Sequence, residues 1–196
     1  MENKHNIKIV FATGNLHKLQ EINEISRDSG VEFILPPEGF NSAETGTTFE
    51  ENSFQKAKEA ASLSRTITLA DDSGLCVEAL GGAPGIYSAR YAETPQDRIN
   101  KLLTNLAPFT NRNAKFVCVM TLVDEFGNVL NREIGECHGK IAKSPSGING
   151  FGYDPIFIAD GYGVTLADMS EDLKNSISHR SAALLKMLSY IKSTLM

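Results

Sequence analysis

Four short polar clusters carry the residue types that phosphate and nucleotide chemistry needs. The first is Thr13-Gly14-Asn15-Leu16-His17-Lys18, at the junction of an apolar run and an amphipathic stretch. A strand that turns into a helix there leaves backbone amides pointing outward at the positive end of the helix dipole, a setting that suits an anion. Gly14 would let a phosphate approach the backbone, Thr13 and Asn15 add hydrogen-bonding groups, and Lys18 adds a point charge. The same residues also make a plain turn with Asn15 as the helix cap, and neither a dinucleotide fingerprint nor a P-loop is present.

The second cluster, Asp71-Asp72-Ser73-Gly74, follows the short apolar run Ile67–Ala70. Two carboxylates at the C-terminal end of a strand stand where open α/β sheets bind ligands. Because side chains alternate along a strand, only one of the pair can face such a site. A carboxylate in that place could ligate Mg²⁺ or accept a proton from water; a helix cap by Asp72 or Ser73 is the plainer alternative. The third cluster runs Gly147-Ile148-Asn149-Gly150-Phe151-Gly152-Tyr153-Asp154. Glycines on both sides of Phe151 suit close approach to something flat, and the ring could stack on a purine. The alternative is an anchoring role, which fits Tyr153 better than Phe151.

The fourth cluster is Lys174 with Ser178-His179-Arg180. If Ser178 caps the last helix, His179 and Arg180 fall in its first turn, where the dipole disfavours cations by about 0.3–1 kcal/mol. A ligand bearing negative charge or carbonyl oxygens would account for the placement. So would an acidic partner such as Glu171 or Asp172. Glu44 lies in a polar loop, and nothing in its spacing singles it out.

The elements that must position these clusters follow from periodicity and turn chemistry. Ile7–Ala12 reads as a strand, followed by a helix with Leu16, Leu19, Ile22 and Ile25 on one stripe, and then a strand over Val31–Leu35. Thr48 and Glu51 form a capping box for a helix whose face includes Phe49, Phe54, Ala57, Ala61 and Ser64. Pro95–Leu106 reads as a further helix. Lys115–Asp124 and Val129–Ile141 flank a short turn and predict an antiparallel hairpin. A short strand at Ile156–Ile158 precedes the final helix, which carries Leu184, Leu188 and Ile191 on its buried face. A parallel beginning and an antiparallel later half predict an α/β fold built on a mixed sheet.

The 196 residues suit a single domain, and a net charge of −5 argues against a nucleic-acid-binding protein. Three widely spaced cysteines, Cys76, Cys118 and Cys137, suggest buried thiols in a reducing compartment. The opening stretch MENKHNIKIVFATGN has too short an apolar run for a signal peptide, and no segment approaches a membrane span. A cytoplasmic protein is the expectation.

A phosphate cradle, a metal-binding carboxylate, an aromatic platform and donors for a base together describe a triphosphate site with a base pocket. At this point the chain resembles the inosine triphosphate pyrophosphatases, which act on non-standard purine nucleoside triphosphates. The resemblance rests on ATGNLHK (12–18), ETGTTFEENSFQKA (44–57), ADDSGLCVEALGGAPGIYSARYA (70–92), NGFGYDPIF (149–157) and the run from Thr165 to Arg180, in order along the chain. It implies hydrolysis of ITP, dITP and XTP to the monophosphate and pyrophosphate, in an elongated mixed α/β fold of two lobes around a substrate cleft, usually as a homodimer. By the same resemblance Thr13, Gly14, Asn15 and Lys18 bind the triphosphate, Glu44 and Asp72 hold Mg²⁺, and Asp72 accepts the proton of the attacking water. Ser73 touches substrate and Asp71 supports the metal site. Phe151, Gly152, Tyr153 and Asp154 embrace base and sugar, while Lys174, His179 and Arg180 bind the purine edge. Two departures are visible: Asp168 stands where the family commonly has Glu, and the stretch 92–97 is shorter than in many members. The rival classes are an aspartyl-phosphate phosphatase, which a product assay separates by its orthophosphate, and a non-catalytic nucleotide sensor, which would bind ITP without Mg²⁺-dependent turnover.

Overall fold

The computed structural model describes residues 7–196; residues 1–6, which open the stretch read above for a leader, lie outside them. Six strands form one mixed sheet in the order β2-β1-β3-β4-β5-β6. They are β1 (Ile7–Phe11), β2 (Val31–Ile34), β3 (Thr68–Val77), β4 (Asn113–Val123), β5 (Val129–Ile141) and β6 (Phe157–Ala159). The first strand runs parallel to both β2 and β3, whereas β5 and β6 are antiparallel. The helices are α1 (Leu16–Ser26), α2 (Phe49–Ser64), α3 (Pro95–Leu106), α4 (Glu171–Ile177) and α5 (His179–Thr194). No helix among the described residues is long and apolar enough to cross a membrane.

Two compact units are distinguishable. One comprises the chain up to Asp72 with Cys118–Gly135 and Arg180–Met196; the other comprises Ser73–Val117 and Glu136–His179. In the first, α1 and α5 pack on a core of Ile9, Phe11, Ile22, Phe33, Leu69, Met120, Leu184 and Met187. A second cluster there buries the alanines of α2 against Val10, Ala12, Ala70 and Val123. In the other unit, Leu102 and Leu106 of α3 pack with Leu75, Phe116, Tyr153 and Phe157. Cys118 and Cys137 are buried, Cys76 is half-buried, and all three are free thiols.

Local hydrogen bonds define the helix starts. Asn15 caps α1, its side chain accepting from the amides of His17 and Lys18. Thr48 caps α2 by accepting from the Glu51 amide at 3.1 Å. The Glu51 carboxylate reaches back past the cap as well, accepting from the amide of Thr47 at 2.6 Å. Thr94 caps α3 in the same manner, with Pro95 in the first turn.

Three expectations change. The strand expected to stop at Ala70 runs on to Val77, so Asp71-Asp72-Ser73-Gly74 is strand rather than turn. The paired register between β1 and β3 ends at Phe11 and Leu69, which leaves Asp71 just beyond it. On α1, Leu16 is mostly exposed while Glu21 is buried. A carboxylate can occupy that face because a cation meets it, as described below. The segment Glu171–Ile177, unassigned from sequence, is a short helix capped by Ser170.

Candidate active site

Asp71 and Asp72 are neighbours in β3, and the alternation of the strand sends them to different partners. Asp71, 1% exposed, receives the Lys18 ammonium at 3.0 Å on each of its oxygens. It also lies 3.3 Å from the Arg180 guanidinium. Burial pushes its carboxyl upward, but Lys18, Arg180 and Lys56 outweigh that and hold it well below the usual carboxylate range. Asp71 is therefore a buried anion at neutral pH.

Asp72 faces α2. Its Oδ2 accepts from the Asn52 amide at 3.0 Å, and its Oδ1 lies 3.5 Å from the Lys56 ammonium. Burial raises its carboxyl above the ordinary value; Lys56 and Asn52 oppose that without cancelling it. Such a group is a stronger base than an exposed aspartate, which suits a proton acceptor. The same ammonium binds Glu44 at 2.8 Å. One cation thus stands against both carboxylates that the family resemblance assigns to a metal. Asn52, Ser53 and Lys56 form the buried polar face of α2, and sequence reasoning missed the contacts of Asn52 and Lys56 with Asp72. The signal was present in the helical spacing of Asn52 and Lys56 at i, i+4, which puts both on one face.

The amides offered to an anion at the start of α1 are already engaged by Asn15, at 3.0 Å and 3.4 Å. Thr13 is buried, and its hydroxyl accepts from the Asn15 amide. Gly14 has open space around the position a Cβ would take. Lys18 belongs to an ion pair rather than to solvent, and its side chain remains 17% exposed.

Arg180 is fully buried, paired with Glu21 as well as Asp71. These acidic groups, from α1 and β3, replace the Glu171 or Asp172 weighed from the sequence. They also resolve the unfavourable placement on the helix dipole: the negative charge that the N-terminus of α5 requires comes from inside the protein. Burial lowers the basicity of the guanidinium, yet Glu21 and Asp71 more than restore it.

In the second unit the loop before β6 is organised by Asp154. Its Oδ2 accepts from the Phe151 amide at 2.8 Å and from Lys174 at 2.7 Å. Gly150 has φ +73°, and a Cβ there would collide with that same carboxylate oxygen. The loop can close on Asp154 only with glycine at this position. Lys174 stands 4.7 Å over the half-buried Phe151 ring, a cation–π arrangement that fixes the ring's orientation. Gly152 is half-buried, with open space where a Cβ would stand.

Tyr153, which the resemblance sets against base and sugar, is 4% exposed. Its ring belongs to the core and its hydroxyl donates to the Ser88 carbonyl at 3.0 Å. Ser73 is half-buried. His179 is buried and stacks on Phe116, with ring centroids 4.8 Å apart and planes at 12°. Asp168, the departure from the family pattern, closes a one-turn bond with the Thr165 hydroxyl at 2.9 Å. Among the described residues no three side chains of the His, Cys, Asp and Glu types gather as a ready-made metal cage.

The chain is similar to several known proteins along most of its length. Residues 9–190 match the model of the Ham1 family. A dITP/XTP pyrophosphatase of Prochlorococcus marinus (strain NATL1A) is 45% identical over 190 residues, covering 97% of this chain and 96% of that protein. The solved structure of a HAM1 protein from Coxiella burnetii aligns with a TM-score of 0.87 at 39% identity, over 96% of this chain and 100% of the other. The Staphylococcus aureus Ham1 protein aligns with a TM-score of 0.85 at 39% identity, over 95% and 98%.

Proposed function

Because the chain belongs to the Ham1 family, we propose that it hydrolyses non-standard purine nucleoside triphosphates (ITP, dITP and XTP) to the monophosphate and pyrophosphate. The observation that carries this reading is the arrangement around Lys56. Its one ammonium pairs with Glu44 and Asp72 together, so the two carboxylates can share a single cation. Mg²⁺ fits that donor set: two hard carboxylate oxygens suffice for an ion that completes its shell with water and substrate phosphates. When bound there, it neutralises triphosphate charge and helps acidify a bound water.

The chain's own residues do the rest. Asp72 takes the proton of the water that attacks the α-phosphorus, helped by a basicity raised through burial. The bond from the α-phosphorus to the bridging oxygen breaks, and pyrophosphate departs with that electron pair. Lys18 and Lys56 receive the charge of the triphosphate, with Thr13, Gly14 and Asn15 lining its approach and Ser73 beside Asp72. Positioning and neutralisation dominate, as in other phosphoryl transfers. Asp71 holds Lys18 and Arg180 in place.

On the base side, Phe151 stacks on the purine while Asp154 and Lys174 set the ring's attitude, with Gly152 leaving room beside it. Tyr153 acts from the core by anchoring the loop. Lys174, His179 and Arg180 serve the purine edge. A donor there satisfies the 6-oxo group of hypoxanthine or xanthine and opposes the 6-amino group of adenine, which presents its own N–H. Such mismatches can discriminate by roughly 10⁴-fold. The whole chain acts as one nucleotide pyrophosphatase domain, working as a homodimer. Pyrophosphate release measured over a panel of ITP, XTP, dITP, ATP and GTP tests this reading; orthophosphate as the product would overturn it, as would equal rates on ATP and ITP.

A further inference from the structure

We infer that Asn52 is a positioning residue that ties the Glu44 loop to Asp72 and so sets the distance between the two carboxylates. The inference rests on the proposed reading of Glu44 and Asp72 as a shared cation site. Asn52 is completely buried on α2. Its Oδ1 accepts from the Gly46 amide at 2.8 Å, and its Nδ2 donates to Asp72 Oδ2 at 3.0 Å.

Each bond fixes the other. The Gly46 N–H can only donate, so it selects the amide oxygen of Asn52 and turns the NH₂ group toward the carboxylate. One rigid side chain thereby links the loop two residues beyond Glu44 to the strand that carries Asp72. The loop can come this close only because residue 46 lacks a side chain. A Cβ on Gly46 would lie 2.8 Å from Asn52 Oδ1 and 2.7 Å from the Glu51 Cβ. Lys56, one turn further along the same face, spans the same two carboxylates electrostatically, but its ammonium must yield when a divalent cation enters. Asn52 is neutral and has no such reason to leave. It keeps Asp72 oriented whether the charge beside it is an ammonium or a metal ion.

The neighbouring Ser53 provides the structural comparison. It is equally buried on α2 and bonds to Thr121 at 2.8 Å, and no bond of its side chain reaches Asp72. The experiment compares Asn52→Ala and Ser53→Ala in the full chain. Four quantities are read: thermal midpoint, Mn²⁺ affinity of the nucleotide-free protein by calorimetry, and kcat and KM for ITP. Asn52→Ala should weaken Mn²⁺ binding and lower kcat by roughly 10–100-fold, as removal of a partner behind a metal ligand does, with KM for ITP changing much less. Ser53→Ala should lower the melting temperature while leaving Mn²⁺ affinity and kcat within about twofold. If Asn52→Ala instead behaves as Ser53→Ala does, losing stability alone, the inference is wrong. Wild-type protein that releases no pyrophosphate from ITP would overturn the proposed reaction, and the Mn²⁺ comparison would still decide the role of Asn52.

Discussion

Asp71 and Asp72 adjoin in β3 yet serve opposite sets of partners, Asp71 with Lys18 and Arg180, Asp72 with Asn52 and Lys56. One carboxylate is held by cations as a structural anion. The other is left more basic than usual by burial, which Lys56 and Asn52 only partly offset. Replacing each by asparagine should therefore give different results.

Asp72→Asn should reduce pyrophosphate release from ITP by roughly 10²–10⁴-fold, the usual contribution of a positioned base. The fold should survive, because the variant removes a carboxylate whose ionised form is disfavoured by burial. A melting curve and a product assay check both halves. Near-normal turnover would remove Asp72 from the chemistry.

Asp71→Asn should act mainly on stability and its pH dependence. The Asp71 carboxyl is held low in the folded state, so its stabilisation is fully present above the ordinary aspartate value near 3.9 and is lost as pH falls through the depressed folded value. The wild type should lose stability on acidification below about pH 4, and the variant should be less stable at pH 7 with a flatter acid limb. Denaturant titrations at several pH values measure this. Parallel acid limbs would show that other carboxylates govern acid unfolding.

Arg180→Ala leaves Glu21 and Asp71 buried without their shared guanidinium. Loss of one member of such a group costs about 3–5 kcal/mol, or about 2–4 °C in melting temperature for each kcal/mol in a chain of this size. The helix-dipole argument alone predicts a neutral or slightly stabilising change, so the sign of the shift separates the two accounts. Kinetics taken well below the melting temperature should show a larger loss for ITP than for ATP. Equal losses would confine Arg180 to the fold.

Phe151→Ala should weaken binding of ITP and XTP alike, by about 1–3 kcal/mol, since every purine has a face to stack on. It also strips Lys174 of the ring beneath its ammonium. Titration with a non-hydrolysed purine nucleotide measures the loss. Unchanged affinity with reduced stability would return the ring to a purely structural place.

Lys18→Ala should raise KM for ITP far more than it raises the inhibition constant of inosine, because the nucleoside lacks the phosphates that Lys18 is proposed to meet. Equal changes would mean that the Lys18–Asp71 pair serves the fold only.

The sequence alone determined what local bonding governs. Asn15, Thr48 and Thr94 cap their helices by accepting from backbone amides two or three residues further on, and such bonds need nothing from the rest of the chain. The hairpin across residues 124–128 and the opposite facing of Asp71 and Asp72 follow equally from turn chemistry and a two-residue period. The tertiary structure decided which charge meets which. Arg180 and Glu21 are 159 residues apart, and Lys18 and Asp71 are 53 apart. The helix dipole marks Arg180 as out of place, and the apolar stripe of α1 passes over Glu21, so neither pattern reveals that each neutralises the other. The face of α2 shows the same division. Alanine spacing predicted its burial, but only the position of β3 beneath it made Asn52 and Lys56 partners of Asp72. Coulombic and hydrogen-bonding energies depend on distance in space, and the order of residues along a chain fixes that distance only within a turn or two of a helix.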